Sequence, residues 1–320
     1  MKKGALVISL DFELVWGIFD HIEIKDKVSY FNNTLEAIPQ LLSIFEKNNI
    51  NVTWATVGML FNENWDEWHA NIPTALPTYD KAILNPYAYG EAHQKSGYDH
   101  FFFAPHLIKE IINTKGQELA THTYSHYYCL ESGQTIEQFE ADMQQAVKMA
   151  RQFSVELHSL VFPRNQFNKN YLAVCQNNQI ETVRTNPDSW YWDTTKPDTL
   201  FSKLARTGDA YLPLGKKSYA TETIQNEAVI GQQASRFLRP QHSSVFLNTS
   251  RLNRIKKEIV QAAKNGEVYH LWWHPHNFGT DTANALQTLK SIVAVFKQCE
   301  EIYGMESLTM HQLSNRIQTS

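Results

Sequence analysis

Cysteine is scarce in this chain of 320 residues. Cys129, Cys175 and Cys299 are odd in number, scattered, and form no CxxC pair. That argues against a disulfide framework and for buried thiols in a reducing compartment. A basic excess is also missing: 29 Lys and Arg stand against 33 Asp and Glu, a net charge of −4, with a pI near 6.4. Neither a nucleic-acid footprint nor a lysine-rich membrane-surface run is present. No apolar stretch approaches the roughly 18 residues of a membrane helix. The opening MKKGALVISLD has two lysines and an apolar run, but Asp11 cuts the run off too early for a secretory segment, and no small-residue cleavage site follows. These absences predict a cytoplasmic protein with no nucleic-acid partner and no membrane span. They leave the oligomeric state open.

What the chain does have is short apolar runs alternating with helix-like segments. Residues 5–11, 50–60, 117–122, 157–163, 180–185 and 267–274 read as strands. Residues 34–49, 104–116, 135–153, 250–266 and 282–301 read as helices, the third opening on a capping box at Thr135. This alternation predicts parallel strands with helical crossovers. Periodicity fails in two places. Residues 61–103 hold Trp65, Trp68, Tyr79, Tyr87, Tyr89, Tyr98 and Phe101 to Phe103, and an insertion of that length suggests a lid or binding loop. Residues 186–249 are similarly irregular. No internal repeat or clear linker is evident.

Four strand ends carry residues capable of chemistry. The first strand ends in Asp11 and Glu13, which alternation places on one face with Phe12 on the other. Two like charges side by side repel unless a cation or a proton lies between them. They read either as a solvated pair or as part of a site, and the C-terminal end of a parallel strand is where α/β sites form. His122 and His126, four apart in HTYSH, suit a tetrahedral metal, with Thr123 and Ser125 placed to hydrogen-bond nearby. In VYHLWWHPHNF, alternation puts Trp272 and His274 on one face and Trp273 on the other, with His270 and His276 as rivals of His274. Arg164 follows a buried strand and Pro163, where a guanidinium can hold a carboxylate ionised. Two His and one carboxylate leave an open position on zinc, as a catalytic site requires. One acid then remains as a base and one His as an acid.

With SLDFE, HTYSH, FPRNQ, DSW and HLWWHPHNF in that order, the chain resembles the polysaccharide deacetylase (NodB-like, carbohydrate esterase family 4) superfamily, in a variant with a spaced D-x-E acid motif. The resemblance spans residues 5 to about 278, and MESLTMHQLSNRI looks like the superfamily's C-terminal helix. It implies an α/β fold, a distorted (β/α)7 TIM-like barrel, and one catalytic domain over residues 1–320 with an aromatic-rich insertion at about 61–103. It implies a metal-dependent deacetylase acting on a carbohydrate, with a divalent metal, Zn2+ foremost, held by Glu13, His122 and His126. Asp11 becomes the catalytic base, with reversed roles for Asp11 and Glu13 as the alternative. His274 becomes the acid, Asp188 its partner, and Arg164 the residue that orients Asp11. A backbone N–H near Asn165 faces the oxyanion. Trp16, Asn165, Trp190, Trp273 and His276 form the substrate-binding set. A cytoplasmic setting points to a glycan precursor, as in O-antigen or other cell-surface polysaccharide assembly. The alternatives are an amidohydrolase opening a small cyclic amide on the same scaffold, and a glycan-binding module without metal.

Overall fold

The computed structural model describes residues 2–187, 208–209, 215–224 and 227–319. The strands are β1 (Ala5–Phe12), β2 (Val52–Thr56), β3 (Gln117–Thr121), β4 (Ser159–Val161), β5 (Thr182–Thr185), β6 (Ile230–Gln233), β7 (Arg236–Phe237), β8 (Val268–Trp273) and β9 (Glu306–Leu308). The helices are α1 (Val28–Lys47), α2 (Trp65–Ala70), α3 (Pro86–His93), α4 (Pro105–Asn113), α5 (Ile136–Gln152), α6 (Leu172–Asn177), α7 (Val245–Asn265), α8 (Thr282–Tyr303) and α9 (Met310–Gln318).

The strands pair in parallel in the order β6-β5-β4-β3-β2-β1-β8-β7. The stretch 230–237 belongs to both ends of that order. Its first half pairs with β5 and its second half with β8. The switch falls between neighbouring residues: Ala234 N donates to Thr185 O at 2.9 Å and Ser235 N to His270 O at 2.8 Å. One kinked strand thereby closes the sheet, and the result is a seven-stave, distorted (β/α)7 barrel. The sequence reading missed this stave because IGQQASRF lacks the apolar, β-branched run of a strand buried on both faces. Gln232 is fully buried all the same, its Nε2 donating to Met310 O at 2.6 Å.

Alternation along β1 builds the interior in layers. Leu6, Ile8, Leu10 and Phe12 face outward into the main core under the helices. Ala5 and Val7 face inward with Ala55, Ala120, Val161 and Val268, and α9 plugs this end with Met310 and Leu313. Above them lie Ser9 and His270, joined at 2.8 Å, and above those the two acids. Each step up β1 is a step from a sealed apolar floor to a polar, charged mouth at the C-terminal strand ends. The C-terminal segment, read as helix alone, begins with β9, which pairs with the first half of β1.

The aromatic segment 61–103 is folded, and its Trp65, Trp68, Tyr87 and Phe101 to Phe103 side chains are buried. It contains α2, α3 and several short turns. Trp65 packs against Phe102 and Phe103 at 4.9 and 4.8 Å between ring centroids, and Trp68 stacks on Trp16 at 6.4 Å. Trp68 has no exposed surface. Trp68→Ala is expected to cost about 3–5 kcal/mol by the usual scale for a large buried ring. Urea unfolding would check this, and a loss under about 1 kcal/mol would show that the cluster is not core.

Candidate active site at the C-terminal end of the barrel

Two carboxylates, only 3% exposed, end β1. Asp11 receives a two-pronged contact from Arg184 on β5, Nη1 to Oδ1 and Nη2 to Oδ2, both at 2.7 Å. Arg184 also donates to Ser9 Oγ at 3.0 Å and Asn165 Oδ1 at 2.9 Å, and its guanidinium lies 4.2 Å over the Trp272 ring. Burial alone would raise the Asp11 carboxyl. The Arg184 charge, with His122 and His274 behind it, more than offsets that and holds Asp11 below its ordinary value.

Glu13 is bracketed by four imidazoles. Its Oε2 lies 3.3 Å from His122 Nε2 and 3.1 Å from His126 Nε2. Its Oε1 lies 3.8 Å from His274 Nε2 and 3.7 Å from His276 Nδ1. His274 Nε2 is also 3.7 Å from Asp11 Oδ2, so it faces both acids. Burial again works against ionisation, but His274, His122 and His126 outweigh it, and Glu13 sits well below the usual carboxylate range. Burial pushes His126 down to about 4, against the pull of Glu13. His276 is pushed down to about 3 by burial and by neighbouring His274.

The ring orientations are set from behind. His122 Nδ1 is 2.8 Å from Val161 O and His126 Nδ1 is 3.1 Å from Tyr128 OH, so both Nε2 atoms turn toward Glu13. The loop carrying them is held by Asp142 of α5. Its carboxylate accepts from Tyr124 N at 2.7 Å, from Ser125 N, and from Ser125 Oγ through a short contact. Thr123 Oγ1 accepts from Tyr127 N at 2.7 Å. Thr123 and His126 take left-handed backbone, φ 62° and 58°, a conformation these residues adopt only when the surroundings impose it. Burial raises Asp142 to about 6 against its hydrogen bonds. The sequence reading did not single out Asp142, although an acid on the stripe Phe139, Asp142, Met143, Ala146 is the available signal.

Glu13 has a second constraint. A Cβ on Gly17 would fall 1.9 Å from Glu13 Cδ and 2.0 Å from its Oε1. The carboxylate lies across the bare face of that glycine.

Residues 19–183, more than half the chain, match the family profile described as polysaccharide deacetylase. The chain belongs to the polysaccharide deacetylase family. No curated protein matches it. Among solved structures, a Mycobacterium smegmatis protein described as a polysaccharide deacetylase superposes with a TM-score of 0.63 at 13% identity, covering 99% of this chain and 91% of that one. A Pseudomonas aeruginosa PAO1 protein described in the same way gives 0.59 at 10%, covering 99% and 91%. The Puue allantoinase gives 0.59 at 9%, covering 99% and 90%. At these identities the likeness shows a shared fold. The family match begins after Asp11 and Glu13 and ends before His274.

The site residues expected from the resemblance fall into two groups. Asp11, Glu13, His122, His126, His274 and His276 come together. Arg164 does not reach Asp11. It bonds both oxygens of Asp20 at 2.6 Å and lies 4.4 Å over the Tyr128 ring, on backbone with φ 54°. Arg184 takes the place assigned to it. The Asn165 and Gln166 N–H groups are spent on Phe162 O and Pro163 O, at 3.0 and 3.1 Å, so neither faces an oxyanion, although the Asn165 side chain contacts Arg184. Trp16 is fully buried, donating to Phe102 O at 2.8 Å. Trp273 is fully buried on the outward face, stacked on Phe278. Neither offers a face to a sugar. Trp272 instead shares the inward face with His274, ring centroids 5.6 Å apart, and borders a cleft with Phe237, Arg239 and Arg251. Asp188 and Trp190 lie outside the described residues.

Two expectations follow. Gly17→Ala should displace the Glu13 carboxylate from His122 and His126 and destabilise by about 1–3 kcal/mol, because a buried acid is moved off its partners. A crystal structure of the variant checks this, and an unmoved Glu13 would refute it. The second concerns His270, buried beside Arg184 and held down to about 3. Its folded pKa lies below the unfolded value near 6.5, so below that pH the unfolded chain binds a proton that the native state refuses. Stability is therefore lost as pH falls from about 6.5 toward about 3. Between about pH 7 and about pH 5, His270→Gln should lose roughly 1–2 kcal/mol less than the parent, measured by urea unfolding at both pH values. Equal losses would mean that His270 is not titrating in this way.

Proposed function

We propose that this chain is a metal-dependent hydrolase that removes an N-acetyl group from a sugar in a glycan or glycan precursor. The observation that carries the reading is the division of labour between two adjacent acids. Asp11 is locked to a guanidinium, while each Glu13 oxygen faces a pair of imidazoles.

The donor set fits a divalent cation. Glu13, His122 and His126 each offer one ligand atom, and all three atoms lie within 4.8 Å of one another. Both imidazoles already have Nδ1 engaged, which leaves Nε2 as the donor. Two imidazoles and a carboxylate suit Zn2+ with an open position. A divalent ion held there supplies a Lewis acid that polarises an acyl carbonyl and makes nearby water easier to deprotonate. Glu13, His274 and His276 form a second triad, but at 3.7–3.8 Å rather than 3.1–3.3 Å.

The chain's own residues supply the rest. Asp11, kept anionic and aimed by Arg184, takes the proton from the attacking water. His274, about a quarter exposed, stands across from Asp11 and Glu13 and delivers a proton to the departing amine, which is a poor leaving group without one. The substrate is an acetamido sugar in a glycan or glycan precursor. Among the described residues no helix is long and apolar enough to cross a membrane.

Acetate release from N-acetyl sugars tests the reaction class. Asp11→Asn should keep Zn2+ and lose roughly 10²–10⁴-fold in turnover, whereas His126→Ala should lose Zn2+ at this site. Loss of metal in Asp11→Asn but not in Glu13→Gln would reverse the two acids' roles. Ring-opening of a cyclic amide without acetate release would replace the substrate class. Glycan binding without hydrolysis or bound metal would replace the enzyme by a binding module.

A further inference from the structure

The His274 ring is held in its plane by aromatic neighbours. His276 lies face to face with it, 4.7 Å between centroids and 4° between planes. Phe237 and Trp272 meet it nearly at right angles, each at 5.6 Å, with 74° and 76° between planes. Such a clamp fixes the plane of an imidazole but not its flip. A half-turn about the Cβ–Cγ bond exchanges Nδ1 with Cδ2 and Nε2 with Cε1 in the same plane, and packing barely distinguishes the two. A polar partner has to choose.

Asn277 is that partner. It is buried in the short turn Pro275–Phe278 that follows β8. The backbone N–H of His274 can only donate, so the Asn277 atom 3.2 Å from it is the amide oxygen, Oδ1, and not the nitrogen. The same Oδ1 lies 3.3 Å from His274 Nδ1. An oxygen with no hydrogen of its own faces that nitrogen, so Nδ1 carries the proton. The Asn277 N–H offers no alternative, being spent on His274 O at 2.9 Å. In the neutral ring Nε2 then keeps its lone pair, and Nε2 is the atom 3.7 Å from Asp11 Oδ2 and 3.8 Å from Glu13 Oε1. The turn itself is pinned to α1. Asn33 Nδ2 donates to Gly279 O at 2.9 Å, and a Cβ on Gly279 would fall 2.2 Å from Tyr30 O. The Tyr30 side chain also hydrogen-bonds Asn277.

We propose that Asn277 is the positioning residue of His274: its side-chain oxygen fixes the imidazole as the Nδ1–H form, so that Nε2 alone exchanges protons at the barrel mouth. The effect on the ring stands on geometry, while its kinetic consequence rests on the deacetylase reading above. As the C–N bond breaks, its electron pair goes to the amine nitrogen, which takes the proton from Nε2. The Nδ1–H stays on Asn277, and a neutral imidazole is left. The resemblance gave the partner's part to Asp188. An amide oxygen does the orienting without adding a third negative charge beside Asp11 and Glu13.

The experiment uses the full chain, metal-free, with 15N-labelled histidine, at about pH 8, above the ordinary histidine range. The signals missing from a His274→Gln spectrum identify the ring. The wild-type protein should show a protonated Nδ1 and an unprotonated Nε2. Asn277→Leu, similar in size but without an acceptor, should lose that preference, as should Asn277→Ala if the leucine variant does not fold. In acetate release, either change should lower kcat roughly 10–100-fold, less than removal of the acid itself, with KM within about threefold. Asn277→Asp, which keeps an oxygen in place, should restore the Nδ1–H form and bring kcat within about fivefold of the parent. A wild-type ring protonated on Nε2, or an Nδ1–H form that persists in both Asn277→Leu and Asn277→Ala, would overturn the proposal. So would an Asn277→Asp protein no faster than Asn277→Leu, since Asn277 would then be structural only. An Asn277-dependent Nδ1–H form in a protein that releases no acetate would support the positioning role while refuting the deacetylase reading.

Discussion

The structure turns on the cost of burying two carboxylates side by side at the end of β1. Neither reaches bulk water, and like charges this close cannot both ionise unless opposite charge or strong donors surround them. The fold answers each acid differently. Asp11 receives a guanidinium whose fork geometry matches a carboxylate. Among the described residues Glu13 meets no lysine or arginine, only imidazoles, and burial pushes two of these, His126 and His276, down to about 4 and about 3. Hydrogen bonds from His122 and His126 and the charge of His274 still hold Glu13 ionised against its burial.

Much of the barrel can be understood as the means of bringing those compensating groups to one point. Arg184 comes from β5, the histidine pair from the loop after β3, and His274 and His276 from the turn after β8. These residues are far apart in the chain, and parallel staves place their C-terminal ends around one mouth. The interior layer of Ser9, His270 and Arg184 is polar because it must carry a guanidinium between the apolar floor and Asp11. Asp142 acts one step further out, by fixing the left-handed turn from which His126 projects.

The strands and long helices were legible because a strand buried on both faces is a continuous apolar run and an amphipathic helix has a stripe. The pair of acids and HTYSH were legible because their residue types are improbable at strand ends without a purpose. Arg184 was not, since TVRT gives no hint that a charged residue mid-strand faces inward toward an acid more than 170 positions away. Arg164 looked suitable because it follows Pro163 after β4, but a left-handed turn sends its side chain to Asp20. Trp272 and Trp273 show the same limit. Alternation already put Trp272 beside His274, and the expectation attached to Trp273 ignored that geometry. The stave formed by β6 and β7 was invisible because its inward residues are polar.

The aromatic insertion connects to the chemistry through packing rather than through contact with a substrate. Directly after Glu13 the chain makes a tight turn, Leu14–Gly17, with Leu14 at φ 45°. Such a turn persists only if its surroundings over-determine it. Trp16 is the anchor: its indole N–H binds Phe102 O, its ring stacks on Trp68, and a Cβ on Gly90 would contact both indoles. The same turn presents Gly17 as the bare surface on which the Glu13 carboxylate rests. Residues 61–103 thus form the outer wall that keeps the Glu13 backbone in place. Their many rings follow from the need for a rigid, water-free support directly behind a buried charge.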